Sequence, residues 1–130
     1  MKEIHNSNFK FKKEEKLCNR SLIDKLFSEG ITIYAYPLKF VFLKNELTEQ
    51  DPILEILFTV PKKIFKKAVQ RNLIRRRMRE SFRLIKPNVY SSLQTKNIRL
   101  RIILIYTGKD LIKFDGINRA IEKGLNKILK

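Results

Sequence analysis

The chain has 130 residues, 43% of them hydrophobic, and a formal net charge of +16 from 29 Lys and Arg against 13 Asp and Glu. That length suits one domain with a single modest core, and the apolar content, with nine Phe, excludes wholesale disorder despite the charge. One cysteine, Cys18, excludes an internal disulfide, and no apolar run approaches the roughly 20 residues that cross a bilayer, so a reducing cytoplasm is the expected location.

Residues 1–18 read as a basic, partly mobile arm that orders on a partner, and residues 19–130 as one domain. Asn19 or Ser21 is placed to cap a short helix with Leu22, Ile23, Leu26 and Phe27 on its apolar side and Gly30 as its stop. Residues 38–44, 53–60 and 98–106 alternate or run apolar in lengths proper to strands, with a polar loop over 45–52 between the first two. A basic helix joins the second and third strands, and Pro87 is expected to end it. A last helix over about 116–129 turns Ile117, Ala120, Ile121 and Ile128 inward and Arg119, Lys123 and Lys127 outward. This order predicts an α+β fold, a two-layer sandwich of one sheet against helices.

The charge is concentrated in the basic helix. Residues 62–86, KKIFKKAVQRNLIRRRMRESFRLIK, hold 11 Lys and Arg and one acid, Glu80. At the helical period Ile74, Met78, Phe82 and Ile85 form one stripe, and Asn72, Arg75, Arg76, Arg79 and Arg83 fill the adjacent arc. Arg71, Arg75 and Arg79 stand at i,i+4 spacing and repel one another. A face kept cationic for solubility normally interleaves Glu with Lys, so this one predicts a polyanionic partner, RNA or DNA. Arginine suits either, because its planar fork binds phosphate and stacks on bases.

The run Lys62-Lys63, then Ala68-Val69-Gln70-Arg71-Asn72, Arg75-Arg76 and Arg79-Glu80-Ser81-Phe82-Arg83, resembles the signature of the bacterial ribonuclease P protein subunit. Two departures stand in it. Leu73 occupies the position where the third residue of the arginine-asparagine-arginine triplet is usual, and the turn over residues 64–67 lacks a glycine found in many members. The resemblance covers the chain from about Lys16 onward. It implies a mostly antiparallel sheet with a left-handed βαβ crossover around the basic helix, whereas general packing rules alone predict the right-handed one. It also implies partnership with the catalytic RNA of ribonuclease P and with the 5′ leader of precursor tRNA, no membrane, and Mg²⁺ held mainly by RNA subunit and substrate. The implied RNA-binding set is Lys62, Lys63, Lys66, Lys67, Arg71, Asn72, Arg75, Arg76, Arg79 and Arg83.

The strand over 38–44 is apolar on both sides, Leu38, Phe40 and Phe42 on one and Val41 and Leu43 on the other. One side packs on helices and the other leaves an aromatic floor unless something covers it, and an aromatic surface beside a cationic groove suits unstacked bases. In the resembled family a cleft between the first helix, the sheet and the basic helix takes the leader, and Ile23 and Phe27 on the first helix, with Phe42 or Phe40 on the strand, are the residues that align with it. No protein active site is expected: the one histidine, His5, lies in the arm, the acids show no metal-ligand spacing, and no glycine-rich phosphate loop is present. The resemblance likewise implies that hydrolysis belongs to the RNA subunit, the chain counting as an enzyme only as part of that endoribonuclease. No obligate protein partner is indicated. A ribosomal or ribosome-associated RNA-binding protein is the alternative, and an autonomous ribonuclease a third, disfavoured reading.

Overall fold

A computed structural model of the protein describes residues 15–130. In chain order the elements are α1 (Arg20–Glu29), β1 (Ile31–Ala35), β2 (Leu38–Glu46), β3 (Leu54–Thr59), α2 (Ala68–Lys96), β4 (Ile98–Tyr106) and α3 (Phe114–Ile128). The sheet runs β1-β2-β4-β3, with β1/β2 and β2/β4 antiparallel and β3/β4 parallel. It is therefore mostly antiparallel, and α2 is the crossover between its two parallel neighbours.

Period-two alternation divides the sheet into two apolar faces. Leu38, Phe40 and Phe42 of β2 join Leu54 and Ile56 of β3 and Leu100, Ile102 and Leu104 of β4 in the main core, against α2 and α3. On the outer face Val41 and Ile103, register partners, pack with Leu26 of α1 and with Leu17. The α+β sandwich expected from sequence is thus a sheet on two helices, with α1 laid across part of the other face.

Helix α1 starts where Asn19 accepts a hydrogen bond from the Leu22 amide at 3.2 Å, so Asn19, not Ser21, is the cap. It ends at Gly30, where an added Cβ would lie 2.4 Å from the Leu26 carbonyl oxygen and 3.0 Å from Val41 Cγ1. Strand β1, absent from the sequence reading, is a short edge strand whose residues are mostly exposed; it is held by pairing to β2 across the Tyr36-Pro37 turn.

Pro87 does not end the basic helix. Helix α2 runs through it to Lys96 and stops at Asn97, whose φ of 57° is left-handed. Proline in a helix interior costs about 3 kcal/mol or more through a lost N–H and a ring clash. Here Val89 and Leu93, both buried, carry the apolar stripe of Ile74, Met78 and Phe82 onward into the core, and their burial offsets that cost.

The fold also begins earlier than expected. Lys16 bridges Ile56 on β3, the Leu17 amide donates to the Ile56 carbonyl at 3.0 Å, and the Leu17 side chain is buried. Glu15 is buried against α2, where Lys86 Nζ lies 2.8 Å from its carboxylate and the Tyr90 hydroxyl donates to the second carboxylate oxygen. The basic arm expected over residues 1–18 is therefore docked over 15–18. The rest of it, His5 included, lies outside the described residues.

Helix α3 crosses the sheet at a point where a side chain is excluded. A Cβ on Gly124 would stand 2.3 Å from Cζ of Phe40, which is itself fully buried. Gly124→Ala gains about 1 kcal/mol of helix propensity but overpacks the core, typically at a cost of about 1 to 3 kcal/mol. A lowered urea midpoint is the expected result, and an unchanged or raised one would show that the Phe40 ring yields.

Candidate nucleic-acid interface

The two-faced helix read from the sequence is present in α2. Ile74, Met78 and Phe82 are fully buried and Ile85 is half-buried. Asn72, Arg76 and Arg79 are exposed, and Arg71, Arg75 and Arg83 half-buried. Lys62, Lys63, Lys66 and Lys67 are all exposed in the segment that leads into the helix. No acidic residue sits in the first turn of α2, so no carboxylate of that turn offsets the positive end of the helix dipole.

Local contacts ease the repulsion among these cations. Arg71 turns back from the helix, its Nη1 donating to the carbonyls of Phe65 and Lys66 at 2.8 Å each. It thereby closes the glycine-less turn, whose Phe65 is buried against Tyr106 with ring centroids 5.8 Å apart. Arg75 Nη1 donates to Asn72 Oδ1 at 2.8 Å, which engages the amide oxygen of Asn72 with a cation. Arg83 makes a two-pronged contact to Glu80, at 3.1 and 2.6 Å. Those hydrogen bonds, and then the Arg83 charge, hold the Glu80 carboxyl below its ordinary pKa against the opposing effect of burial, and the same pair raises Arg83. Arg77 points away from this face, its Nη1 donating to the Ile112 carbonyl at 2.6 Å.

The four aligned cleft residues do not come together. Ile23, half-buried, and Phe27, 56% exposed, lie on α1 at the outer face. Phe40 and Phe42, 0% and 4% exposed, point the other way into the core beneath α2 and α3, so neither offers a surface to a base. The cause is strand alternation: the even positions of β2 face inward, and Lys39, Val41 and Leu43 face out.

What stands on the outer face instead is partly new. Tyr34 of β1, 63% exposed, pairs in register with Lys39, whose Nζ lies 6.0 Å from the Tyr34 ring centroid. Beside them a hollow of about 740 Å³ at the ends of β3 and β4 brings Lys39, Lys63 and Lys109 around Pro61, Ile64 and Ile105. Lys39 was legible, since it shares a side of β2 with Val41 and Leu43. Tyr34 was hidden with the unrecognised strand, and Lys109, in the loop after β4, carries no local signal.

Among the described residues no group of three or more His, Cys, Asp or Glu is placed to hold a metal ion. Among them, too, no helix is long and apolar enough to cross a membrane.

The family model described as Ribonuclease P matches residues 11–129. The ribonuclease P protein component of Porphyromonas gingivalis strain ATCC 33277 is 33% identical over 123 residues, covering 94% of this chain and 88% of that one. The component from Chlorobium phaeobacteroides is 29% identical over 126 residues, covering 90% and 86%. Among solved structures, the ribonuclease P protein of Staphylococcus aureus superposes with a TM-score of 0.68 at 19% identity, covering 89% of this chain and 95% of that one. That of Thermotoga maritima, in complex with 1-(4-fluorophenyl)-2-thiourea, gives 0.64 at 22%, covering 83% and 94%.

Proposed function

The chain belongs to the ribonuclease P protein family, and from that premise we propose that it binds the catalytic RNA through the cationic arc of α2 and the 5′ leader of precursor tRNA on the outer face of the sheet. The observation that carries this reading is the division of α2 into a buried apolar stripe and an arginine-rich flank with Glu80 as its single acid. Lys62, Lys63, Lys66, Lys67, Arg75, Arg76, Arg79 and Arg83 supply the phosphate contacts, and Arg71 and Asn72 position the turn and Arg75. On the outer face Phe27 and Tyr34 offer stacking surfaces and Lys39, Lys63 and Lys109 hold phosphates, with Ile23 as apolar flank.

Hydrolysis then belongs to the RNA, with Mg²⁺ held by RNA subunit and substrate, in the cytoplasm. The protein lowers the repulsion between two RNA polyanions and strengthens binding of precursor and metal to the assembled particle. Cleavage of precursor tRNA at low Mg²⁺ is expected only when protein and a bacterial ribonuclease P RNA are both present. Cleavage by the protein alone would establish an autonomous nuclease, and no stimulation of the RNA would favour a ribosome-associated role.

Salt gives a quantitative check. Each neutralised phosphate steepens the fall of log affinity by roughly 0.7 to 0.9 per tenfold rise in salt. Arg76→Ala is expected to lower the slope by about one such contact for every RNA sequence tried. A dependence that is nearly flat in the parent protein would remove the arc as the binding surface.

A further inference from the structure

A separate hollow, of about 300 Å³, opens between α2 and the segment that pairs with the edge of β3. Its floor is apolar, made by Ile56, Leu57 and the half-buried Phe58, whose ring meets that of Phe82 edge-on at 6.0 Å and 75°. Its rim is cationic, with Lys16 on one wall and Arg75 and Arg79 on the other. The backbone of one wall and one arginine of the other are held by contacts within the protein. Lys16 is held by its bridge to Ile56 and by the buried Leu17 beside it, and Arg75 by its hydrogen bond to Asn72.

A strip that only counted phosphates would need no apolar floor, and a site for apolar side chains would need no ring of cations. Lys16, Arg75 and Arg79 ring the hollow and no acid is among the described residues that line it, which suits an anion; an aromatic ring and a Leu side chain form the floor, which suits an anion that carries a flat apolar group. We propose that this hollow holds one unstacked nucleotide of the bound RNA, its base against Leu57 and Phe58 and its phosphate among Lys16, Arg75 and Arg79. The inference rests on the reading that the α2 arc binds RNA and assigns one position on that arc to a particular nucleotide rather than to backbone charge alone.

The test titrates the whole protein with uridine 5′-monophosphate, uridine and inorganic phosphate, following backbone amide resonances. The monophosphate is expected to shift Cys18, Leu57 and Phe58 and to bind about 5- to 150-fold more tightly than phosphate, the range for stacking one base. Equal affinities, which mean an anion site without a base, overturn the proposal, as do shifts confined to other residues or tighter binding of an acidic, phenylalanine-containing peptide. Cys18→Phe, or the milder Cys18→Leu, fills the hollow without changing charge. Either is expected to abolish the preference for monophosphate over phosphate and to weaken binding of the ribonuclease P RNA. Arg76→Ala, outside the hollow, is expected to weaken RNA binding and keep the preference. If only the arginine variant weakens RNA binding, the nucleotide site is wrong and the RNA-binding face stands; if neither does, the face itself is wrong.

Discussion

Replacing Lys86 by methionine lowers stability by about 3 to 5 kcal/mol, the range for removing one partner of a buried ion pair. The Lys86 and Glu15 side chains are 2% and 1% exposed, so the substitution would leave the Glu15 carboxylate sealed from water without the cation that now faces it. The double variant Glu15→Gln, Lys86→Met removes both charges, and an amide at 15 still hydrogen-bonds Tyr90, which now donates to the carboxylate. Most of the loss should therefore return, because a buried pair is weakly stabilising as a pair but costly when broken. Urea unfolding of the four proteins of this cycle measures the coupling. A loss below about 1 kcal/mol for the single variant would show that water reaches the pair in solution. A large loss that the double variant does not recover would mean that Lys86 acts by packing its stem rather than by charge.

That pair marks where the sequence stops being readable. Lys86 closes a basic run and looks like one more surface cation, and Glu15 sits among alternating charges; nothing local to either announces the other, 71 positions away. Alternation in β2 and the helical period of α2 were legible because one side of each element meets water or cations while the other meets core. The position of Pro87 was misread for the converse reason, since the penalty of a proline is local and the burial of Val89 and Leu93 that offsets it is not. Phe40 and Phe42 show the limit for the site. Period two says that they share a side, but which side α1 covers depends on the chain path through Gly30 and on β1, whose five residues are mostly exposed and carry little pattern.

The two faces of α2 should separate under mutation. Met78→Ala and Phe82→Ala remove fully buried side chains from the main core and are expected to cost about 2 to 5 kcal/mol each, Phe82 at the upper end because it also loses its edge contact with Phe58. Arg76→Ala removes an exposed guanidinium from an arc of like charges, so its melting temperature should stay level or rise slightly while RNA affinity and low-Mg²⁺ cleavage by the holoenzyme fall. Raising Mg²⁺ should restore much of that activity, because the ion screens the two RNAs from one another in place of the lost charge. It should restore nothing to a core variant whose folded population has collapsed, since a loss of about 4 kcal/mol would consume much of the roughly 5 to 15 kcal/mol that holds a typical domain folded. Calorimetric melts beside cleavage assays at two Mg²⁺ concentrations read both outcomes. An arginine variant that melts several degrees lower yet binds RNA normally would place the buried and the cationic faces of this helix the other way round.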